Sequence, residues 1–498
     1  MGGFFGLVAR RPAARRLDAI VLFVLTVVVR EAFVLSSPGG VRGVFGYDGS
    51  VYYAAADSLL QGRLPYRDFT LLHPPGMMLA LTPFAAFGRL AGDHAGFMLA
   101  NAAFVALAGV NAALVHAVLR RVGTPRWAAL LGGVFYAAWF GAVQAEVNER
   151  LEPLGSFLLL LGAFLLVGEH GRTPRRLPLA GAVLGAAVCV KVWYVVPAVL
   201  VLLAAALATR RLQGALRLAA GAVAAAVVLV GVFFVAAPTA MWRMIVTDQV
   251  GRRDAGPRGA RWGEAVTTVS RLHVSRDSRE LLLVVTAVLG LAMVALAART
   301  TFGRVVSAVL AAQLVVLFVT PTYFFFYSGY VAPAAALLVG TAAGATSATG
   351  TVRRLGAVVP ALVTVGAVAV TAGVFVDGTF HISRRFPAGP LADRAATVRC
   401  VVADSPAALI QLNVLSRGLR NGCPNWVDVS GRSYDVDRSG LGRRRSPLWQ
   451  REIRDYLRSG QAALVIRGKT GLSRETRDAI RRWPVLARHG TVTIYRTP

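Results

Sequence analysis

The stretch YDGSVYYAAADSLLQGRLPYRDFTLLHPPG, Tyr47–Gly76, lies between the first long apolar segment of the chain and the next. It contains three aspartates, two arginines, four tyrosines, one histidine and a Pro-Pro step. A connection that only reversed the chain between two membrane segments would not need this chemistry. Because binding and catalytic residues concentrate in loops held by a rigid scaffold, the stretch indicates a functional site at the rim of a membrane protein.

The composition is that of a polytopic membrane protein. The 498 residues are 55% hydrophobic with a mean hydropathy of +0.57, and many windows of about 20 residues carry almost no charge. The net charge of +29 comes mainly from arginines in short clusters between apolar runs. That pattern is typical of cytoplasmic loops, so we expect no nucleic-acid partner. The preference for Arg over Lys, with abundant Ala, Val and Gly, indicates a high-GC source such as an actinobacterium.

The apolar runs predict a fold of about eleven transmembrane helices. They lie at residues 17–36, 97–119, 126–144, 153–168, 178–192, 193–208, 215–237, 280–298, 304–321, 328–346 and 355–376. The Arg clusters then fall in every second connection, which places the N-terminus in the cytoplasm. On the outer face of the plasma membrane we expect the C-terminus and the loops 37–96, 145–152, 238–279 and 322–327.

Two segments decide this topology. Gly76–Gly92 is apolar but short, and it is interrupted by Pro83 and Arg89. We therefore expect it to lie at the outer interface, since counting it as a span would invert every later loop. Residues 178–208 are predicted to form two short spans that meet near Lys191; the alternative is one long tilted helix.

The tail differs in character from the membrane part. Residues 377–498 are polar and Arg-rich, with strand-like runs TVRCVVA, AALVIRG and TVTIYRT and helix-like runs SPLWQREIRDYLRSG and SRETRDAIRRW. They predict a small extracytoplasmic α/β domain after a membrane domain at 1–376. Cys400 and Cys423 are its only cysteines, and on the outer face we expect them to form a disulfide. Two unpaired cysteines are the alternative.

Several motifs occur in order along the membrane part. They are Asp48, then GRLPYRDF at Gly62–Phe69, then His73-Pro74-Pro75, followed by VNERLEPLG and by GAVLGAAVCVKVW, a glycine-rich helix ending in a lysine. Over residues 1–376 the chain resembles GT-C class integral-membrane glycosyltransferases, more closely bacterial relatives of protein O-mannosyltransferases and aminoarabinose transferases. Many such relatives carry adjacent Asp and Glu at the first motif, whereas here Gly49 follows Asp48.

The resemblance implies an activity and its partners. A hexosyl or pentosyl group would move from a polyprenyl-phosphate donor to an acceptor hydroxyl on an envelope glycan, lipid or protein, usually with inversion. The donor phosphate would be both membrane anchor and leaving group, so cations must meet it where charge develops. Because Gly49 replaces the second acid of the Asp-Glu pair, two alternatives stay open: a different way of using the acceptor, or a loss of activity.

Three carboxylates are candidates for the catalytic base. Asp48 is the first choice, with a helix-capping role as its alternative. Asp68 is a lesser candidate that more often bonds neighbouring backbone. Glu152 is another, with capping of its own helix as the alternative. We expect Asp57 to be solvated on a helix, SVYYAAADSLLQG, that lies along the membrane surface.

The donor phosphate should be held by cations. Arg252 and Arg253 are candidates because the planar guanidinium donates two hydrogen bonds at once. Lys191 is the third candidate, although it could instead extend to the interface. Further substrate-binding candidates are His73, Gln249, Tyr327 and Tyr330. The tyrosines could equally anchor helices at the interface.

The remaining expectations concern cofactors and rival functions. The histidines show no metal-ligand spacing and no nucleotide motif occurs, so we predict no metal site and no cofactor; a divalent ion on an acidic pair is left open. A transporter or flippase of lipid-linked sugars is one rival, but it should show internal repeats and polar residues at mid-membrane. A non-catalytic scaffold of envelope assembly is the other.

Overall fold

The computed structural model describes most of the chain. The described residues are 12–167, 176–209, 212–252, 261–264, 274–345, 351–437, 439, 441–466 and 471–498. They form a predominantly helical protein with one small sheet near the C-terminus, and every structural statement below concerns these residues.

The first part of the chain is helical. Its helices are α1 (Pro12–Ser36), α2 (Asp48–Leu60), α3 (Gly76–Ala91), α4 (Asp93–Arg121), α5 (Arg126–Ala138), α6 (Phe140–Val143), α7 (Leu151–Leu166), α8 (Arg176–Val190), α9 (Val195–Thr209), α10 (Leu212–Ala236), α11 (Pro238–Trp242), α12 (Asp248–Val250), α13 (Arg276–Ala297), α14 (Thr301–Val319), α15 (Ala332–Gly344) and α16 (Thr351–Asp377). Short 3₁₀ segments lie at Gly40–Arg42, Val192–Tyr194 and Phe325–Tyr330, and a π segment lies at Arg243–Thr247.

Six described helices are long and apolar enough to cross a membrane. They are Arg16–Ser36, Asp93–Arg121, Leu212–Ala236, Arg276–Ala297, Thr301–Val319 and Gly356–Asp377. Five shorter apolar helices accompany them: Gly76–Ala91, Leu151–Leu166, Arg176–Val190, Val192–Ala208 and Ala332–Gly344. The chain is thus a multi-pass membrane protein, while the count of about eleven spans and the orientation of the termini stay predictions.

The segment 178–208 consists of two helices, as the sequence indicated. Lys191 adopts an extended backbone, with φ −151° and ψ 126°, between α8 and the 3₁₀ turn that precedes α9. An extended residue cannot continue the helical hydrogen-bond ladder, so α8 ends there. The break sets the Lys191 side chain at the junction of two helices.

A buried ion pair joins the first helix to the segment after α6. Arg30 donates to Glu146 at 2.9 Å, and Glu146 also accepts hydrogen bonds from Asn111 at 3.2 Å and from Tyr136 at 2.5 Å. A buried carboxylate with this many donors is paired and satisfied. Glu146, which lies in the predicted outer loop 145–152, therefore links α1, α4 and α5 inside the bundle.

The C-terminal residues build a small α/β unit. Its helices are α17 (Gly389–Ala396), α18 (Pro406–Gln411), α19 (Leu415–Arg420), α20 (Arg432–Val436), α21 (Pro447–Arg458) and α22 (Arg474–Arg481). Its strands are β1 (Val401–Ala403), β2 (Ala462–Ile466), β3 (Val485–His489) and β4 (Val492–Arg496), in the order β1-β2-β4-β3. β1 and β2 run parallel and the other pairs antiparallel. A disulfide joins Cys400 to Cys423.

Helix α2 is buried, which corrects the expectation that it lies on the membrane surface. Residues Gly49–Ser58 are all buried, because α3 packs on one side of the helix and α18 and α19 pack on another. Asp57 is likewise not solvated: it is buried and pairs with Arg89 of α3 at 2.5 Å. The covering residues come from the C-terminal unit, so the sequence of α2 alone does not reveal its burial.

Candidate active site

A cavity of about 140 Å³ lies where the first helices meet the C-terminal unit. Its wall is formed by segments that lie far apart in the sequence. They include the start of α2, the start of α7, the residue after α8 and the loop between α19 and α20. Its polar and charged lining includes Tyr47, Asp48, His73, Arg150, Glu152, Lys191, Arg252, Tyr327 and Asp428. The cavity therefore brings together six residues predicted from the sequence as site candidates: Asp48, His73, Glu152, Lys191, Arg252 and Tyr327.

Asp48 is the first residue of α2 and faces this cavity. Burial raises the pKa of its carboxyl above the ordinary value; the charge of Arg150 opposes the shift and that of Asp428 adds to it. A carboxylate poised in this way is a stronger base than a solvated aspartate. The position therefore suits removal of a proton from a bound hydroxyl.

Gly49 explains why a second acid does not follow Asp48. A Cβ at this position would lie 2.8 Å from Oε2 and 3.3 Å from the backbone oxygen of Glu149. Glu149 is fully buried, and burial raises the pKa of its carboxyl well above the ordinary value. The Glu149 side chain thus occupies the space that a residue larger than glycine would need at position 49.

Lys191 and Glu152 form a buried pair. Lys191 Nζ lies 2.7 Å from Glu152 Oε1, and it also lies over the rings of Trp193 and Tyr327 at 3.9 Å and 4.0 Å from their centroids. Both side chains are nearly inaccessible to solvent, so Lys191 does not extend to the interface. Glu152 neutralises a cation here, and this role leaves it less suited to be a free base.

Two arginines complete the cationic side of the cavity. Arg150 lies over the Phe326 ring at 3.8 Å, and Arg252 interacts with the hydroxyl of Tyr327 and faces the ring of Tyr434 at 5.8 Å. An aromatic face stabilises a guanidinium and leaves its N–H groups free to donate hydrogen bonds in the plane of the guanidinium. An anion entering the cavity would meet three cations from three segments of the chain.

His73 supplies a neutral side of the cavity. Its ring packs edge-on against Tyr52, with ring centroids 6.0 Å apart. Burial and the charges of Arg252 and Lys191 lower the pKa of His73 well below the ordinary value. The imidazole is therefore neutral at physiological pH and can donate or accept one hydrogen bond.

Asp428 is the residue of the cavity that sequence reasoning missed. It lies in the C-terminal unit, and its Oδ1 accepts hydrogen bonds from Tyr47 Oη at 2.9 Å and from the Gly431 amide at 2.7 Å. No motif marks it, and it lies 380 positions after Asp48 in the sequence. Arg150 belongs to the motif VNERLEPLG in the predicted outer loop 145–152, and that motif was the only sequence signal for it.

Other predicted residues lie outside the cavity lining. Asp68 accepts hydrogen bonds from the Leu64 amide at 2.7 Å and from Arg67 at 2.8 Å, which is the backbone-bonding role that the sequence also suggested. Tyr330 donates to the Trp193 carbonyl at 2.7 Å, and Gln249 donates to the Leu72 carbonyl. Arg253 lies outside the described residues.

Within the part of the chain that the structure describes, no group of three or more His, Cys, Asp and Glu could hold a metal ion.

Comparison with known proteins gives structural but not sequence relatives. No family model and no curated protein matches the sequence. ArnT from Cupriavidus metallidurans bound to undecaprenyl phosphate superposes with a TM-score of 0.60 and 16% identity, over 96% of this chain and 97% of that chain. The arabinofuranosyltransferase AftD from Mycobacteria gives 0.56 and 15%, over 98% of this chain and 40% of that chain. An oligosaccharyltransferase from Archaeoglobus fulgidus gives 0.54 and 11%, over 89% and 68%. At these identities the likeness concerns the fold.

Proposed function

We propose that this chain, which has the GT-C glycosyltransferase fold, transfers a sugar from a polyprenyl-phosphate donor to an acceptor hydroxyl at the outer face of the plasma membrane. The observation that carries the proposal is one cavity in which a carboxylate with a raised pKa faces three cations. The acceptor is an envelope glycan, lipid or protein. The proposal includes no cofactor.

The chemical step follows from these groups. The acceptor oxygen attacks the anomeric carbon and forms the new glycosidic bond, while its proton passes to the Asp48 carboxylate. The bond from that carbon to the phosphate oxygen breaks, and the phosphate leaves with the electron pair. Arg252, Arg150 and Lys191 stabilise the charge that develops on the leaving phosphate. Attack opposite the leaving group gives inversion at the anomeric carbon.

The donor class is supported by the composition of the cavity wall and by the fold relatives. Cations that stack on aromatic rings suit a phosphate at the edge of a membrane, and ArnT was solved with undecaprenyl phosphate bound. Arg253 remains a further candidate ligand from the same loop. Among the carboxylates, Asp48 is the proposed base because Glu152 is paired with Lys191 and Asp68 is bonded to Arg67 and Leu64.

Replacement of the base tests the proposal. Asp48→Asn keeps the shape of the side chain and removes its basicity, so turnover should fall by about 10²–10⁴-fold while donor binding persists. The assay is transfer from radiolabelled polyprenyl-phosphate mannose or arabinose to envelope extract by purified protein in lipid. Asp68→Asn, an aspartate of the same loop outside the cavity, is the matched control and should stay active.

The same variants separate the rival functions. An active Asp48→Asn with an inactive Glu152→Gln would move the base to Glu152. If all three variants turn over normally, or the wild-type protein transfers no sugar in any assay, a transporter or a scaffold becomes the better explanation.

The pH dependence of kcat/KM gives a second measurement on Asp48. A base must be deprotonated, and the raised pKa therefore places the acid limb of the profile above the ordinary value of about 3.9 for aspartate. The charged groups that act on Asp48 are Arg150, Arg252 and Lys191, which favour the carboxylate, and Asp428 and Glu152, which disfavour it. Arg150→Gln removes a favourable charge, so its acid limb should move to higher pH. An unshifted limb would contradict Asp48 as the titrating base.

A further inference from the structure

Besides Asp48 and Glu152, the cavity contains the carboxylate of Asp428, which comes from the C-terminal unit. Tyr47, the residue before the proposed base, connects the two acids: its hydroxyl donates to Asp428 Oδ1 at 2.9 Å and accepts from the Ser430 amide at 2.8 Å. The Gly431 amide donates to the same Oδ1 at 2.7 Å. One oxygen of Asp428 is thus fixed by two donors, which holds the carboxylate in a single orientation.

The loop that carries Asp428 is tied to segments of the N-terminal part of the chain. Asp435, in the helix α20 that follows the loop, accepts hydrogen bonds from Thr70 at 2.5 Å and from Arg243, and it also pairs with Arg432 at 3.3 Å. A Cβ on Gly431 would lie 2.2 Å from Asp428 Oδ2, so only glycine lets the backbone approach the carboxylate this closely. The loop is held at Asp428 by Tyr47 and beyond it by the contacts of Asp435, and these contacts fix Asp428 in the cavity wall.

The second oxygen of Asp428 has a different environment. Among the described residues none donates a hydrogen bond to Oδ2, and the residue lines the cavity. Arg252 and Arg443 act on Asp428 through their charge. Because this oxygen borders the cavity, its hydrogen-bond donors come from what fills the cavity, either water or a bound ligand. A ligand group that replaces the water must donate, and a hydroxyl can do so whereas an ionised phosphate oxygen cannot.

We propose that Asp428 accepts a hydrogen bond from a hydroxyl group of the transferred sugar, so that the C-terminal unit takes part in choosing the sugar. This inference depends on the glycosyl transfer proposed above. The sugar is bonded directly to the phosphate that Arg252 meets, and Asp428 lies within the electrostatic reach of both Arg252 and Asp48. A sugar bound between the phosphate site and the base Asp48 therefore lies beside Asp428.

Deoxy-sugar donors test the contact. The probes are polyprenyl-phosphate mannose and arabinose, with monodeoxy analogues of whichever sugar the wild-type protein transfers. In the wild-type protein, removing the hydroxyl that Asp428 binds should lower kcat/KM by roughly 10- to 100-fold, as expected for a hydrogen bond to a charged group. With the full sugar, Asp428→Ala should have a kcat/KM lower than that of the wild-type protein by a similar factor. Its kcat/KM should fall almost no further when the full sugar is replaced by that one analogue.

Asp435→Asn is the matched control, because it weakens the anchor of the same loop and leaves the Asp428 carboxylate in place. A purely structural role predicts that Asp428→Ala behaves like this control, with equal losses on every donor and a lower melting temperature. Equal deoxy penalties in wild type and Asp428→Ala would overturn the inference while leaving the glycosyl transfer intact. A wild-type protein that transfers no sugar from either donor would instead overturn the proposed function.

Discussion

Position 49 controls how closely two loops approach beside the proposed base. Glycine leaves room for the Glu149 carboxyl, and the first turn of α2 can therefore press against the loop that carries Arg150. The glycine that stands here in place of the second acid of an Asp-Glu pair is thus a feature of local packing. It does not imply that the site has lost its base.

We predict that Gly49→Ala is harmful although alanine favours helices. Its Cβ would lie 2.8 Å from Glu149 Oε2, so the loop must shift, at a cost of about 1–3 kcal/mol. Because Asp48 is the adjacent residue, turnover should fall as well. Gly290→Ala in α13 is the control: nothing lies within 4 Å of its Cβ, and stability should be equal or slightly higher. Thermal unfolding and turnover of both variants measure this; a Gly49→Ala protein as stable and active as the control would contradict it.

At the level of single residues, the sequence predicts those that follow a local motif. Asp48 and His73 belong to motifs, and Lys191 is conspicuous as a lone lysine in an apolar region. Asp428 has no such mark, since what makes it a cavity residue is its contact with Tyr47. That contact joins residues 381 positions apart, and local spacing carries no information about it.

At the level of elements, periodicity predicts helices and strands well and their surroundings poorly. Three strands and two helices of the C-terminal unit, β1, β2, β4, α21 and α22, lie where the sequence predicted them. β3 was missed because its residues are mostly exposed and include Arg488 and His489. The burial of α2 was missed for the opposite reason: its cover lies in α18 and α19, far along the chain.

Helix α3 decides the topology, and reporter fusions can test it. We predict a cytoplasmic signal for fusions after residues 122 and 212 and an outer signal at the C-terminus. The reason is the distribution of arginine clusters, with α3 lying at the interface. Its Arg89 pairs with Asp57 of α2. An outer signal at residue 122 would mean that α3 crosses the membrane and that every later loop is inverted.

At the level of the whole molecule, the membrane helices and the C-terminal unit share one hydrophobic core. The same cluster of buried side chains contains Tyr53 and Met77 together with Leu409, Ile410 and Leu415. Polar contacts reinforce it, such as the Ser416 amide donating to Asp93 at 3.2 Å. The two parts should therefore unfold together, and a change in one should affect the other.

The disulfide provides a test of this coupling. Peptide mapping without reduction should find Cys400 joined to Cys423, with Cys189 as the free thiol. Replacing both disulfide cysteines by serine should cost about 3 kcal/mol, the usual value for a loop of this length. The melting temperature of the full-length protein should fall, with loss of turnover in the same transition. Two separate transitions, or free thiols at both positions in protein from its native membrane, would contradict the prediction.

The shared core also makes the order of synthesis matter. Helix α2 ends at Leu60, whereas the helices that cover it begin at Pro406, roughly 350 residues later. At about 5–20 residues per second the ribosome needs some 20–70 s to supply the cover. During that interval a helix with ten residues destined for the interior remains open to proteases and to association with other chains. A premature stop codon before residue 406 would remove α18 and α19 and make this exposure permanent, so chains truncated there should be degraded rather than accumulate as partly active enzyme.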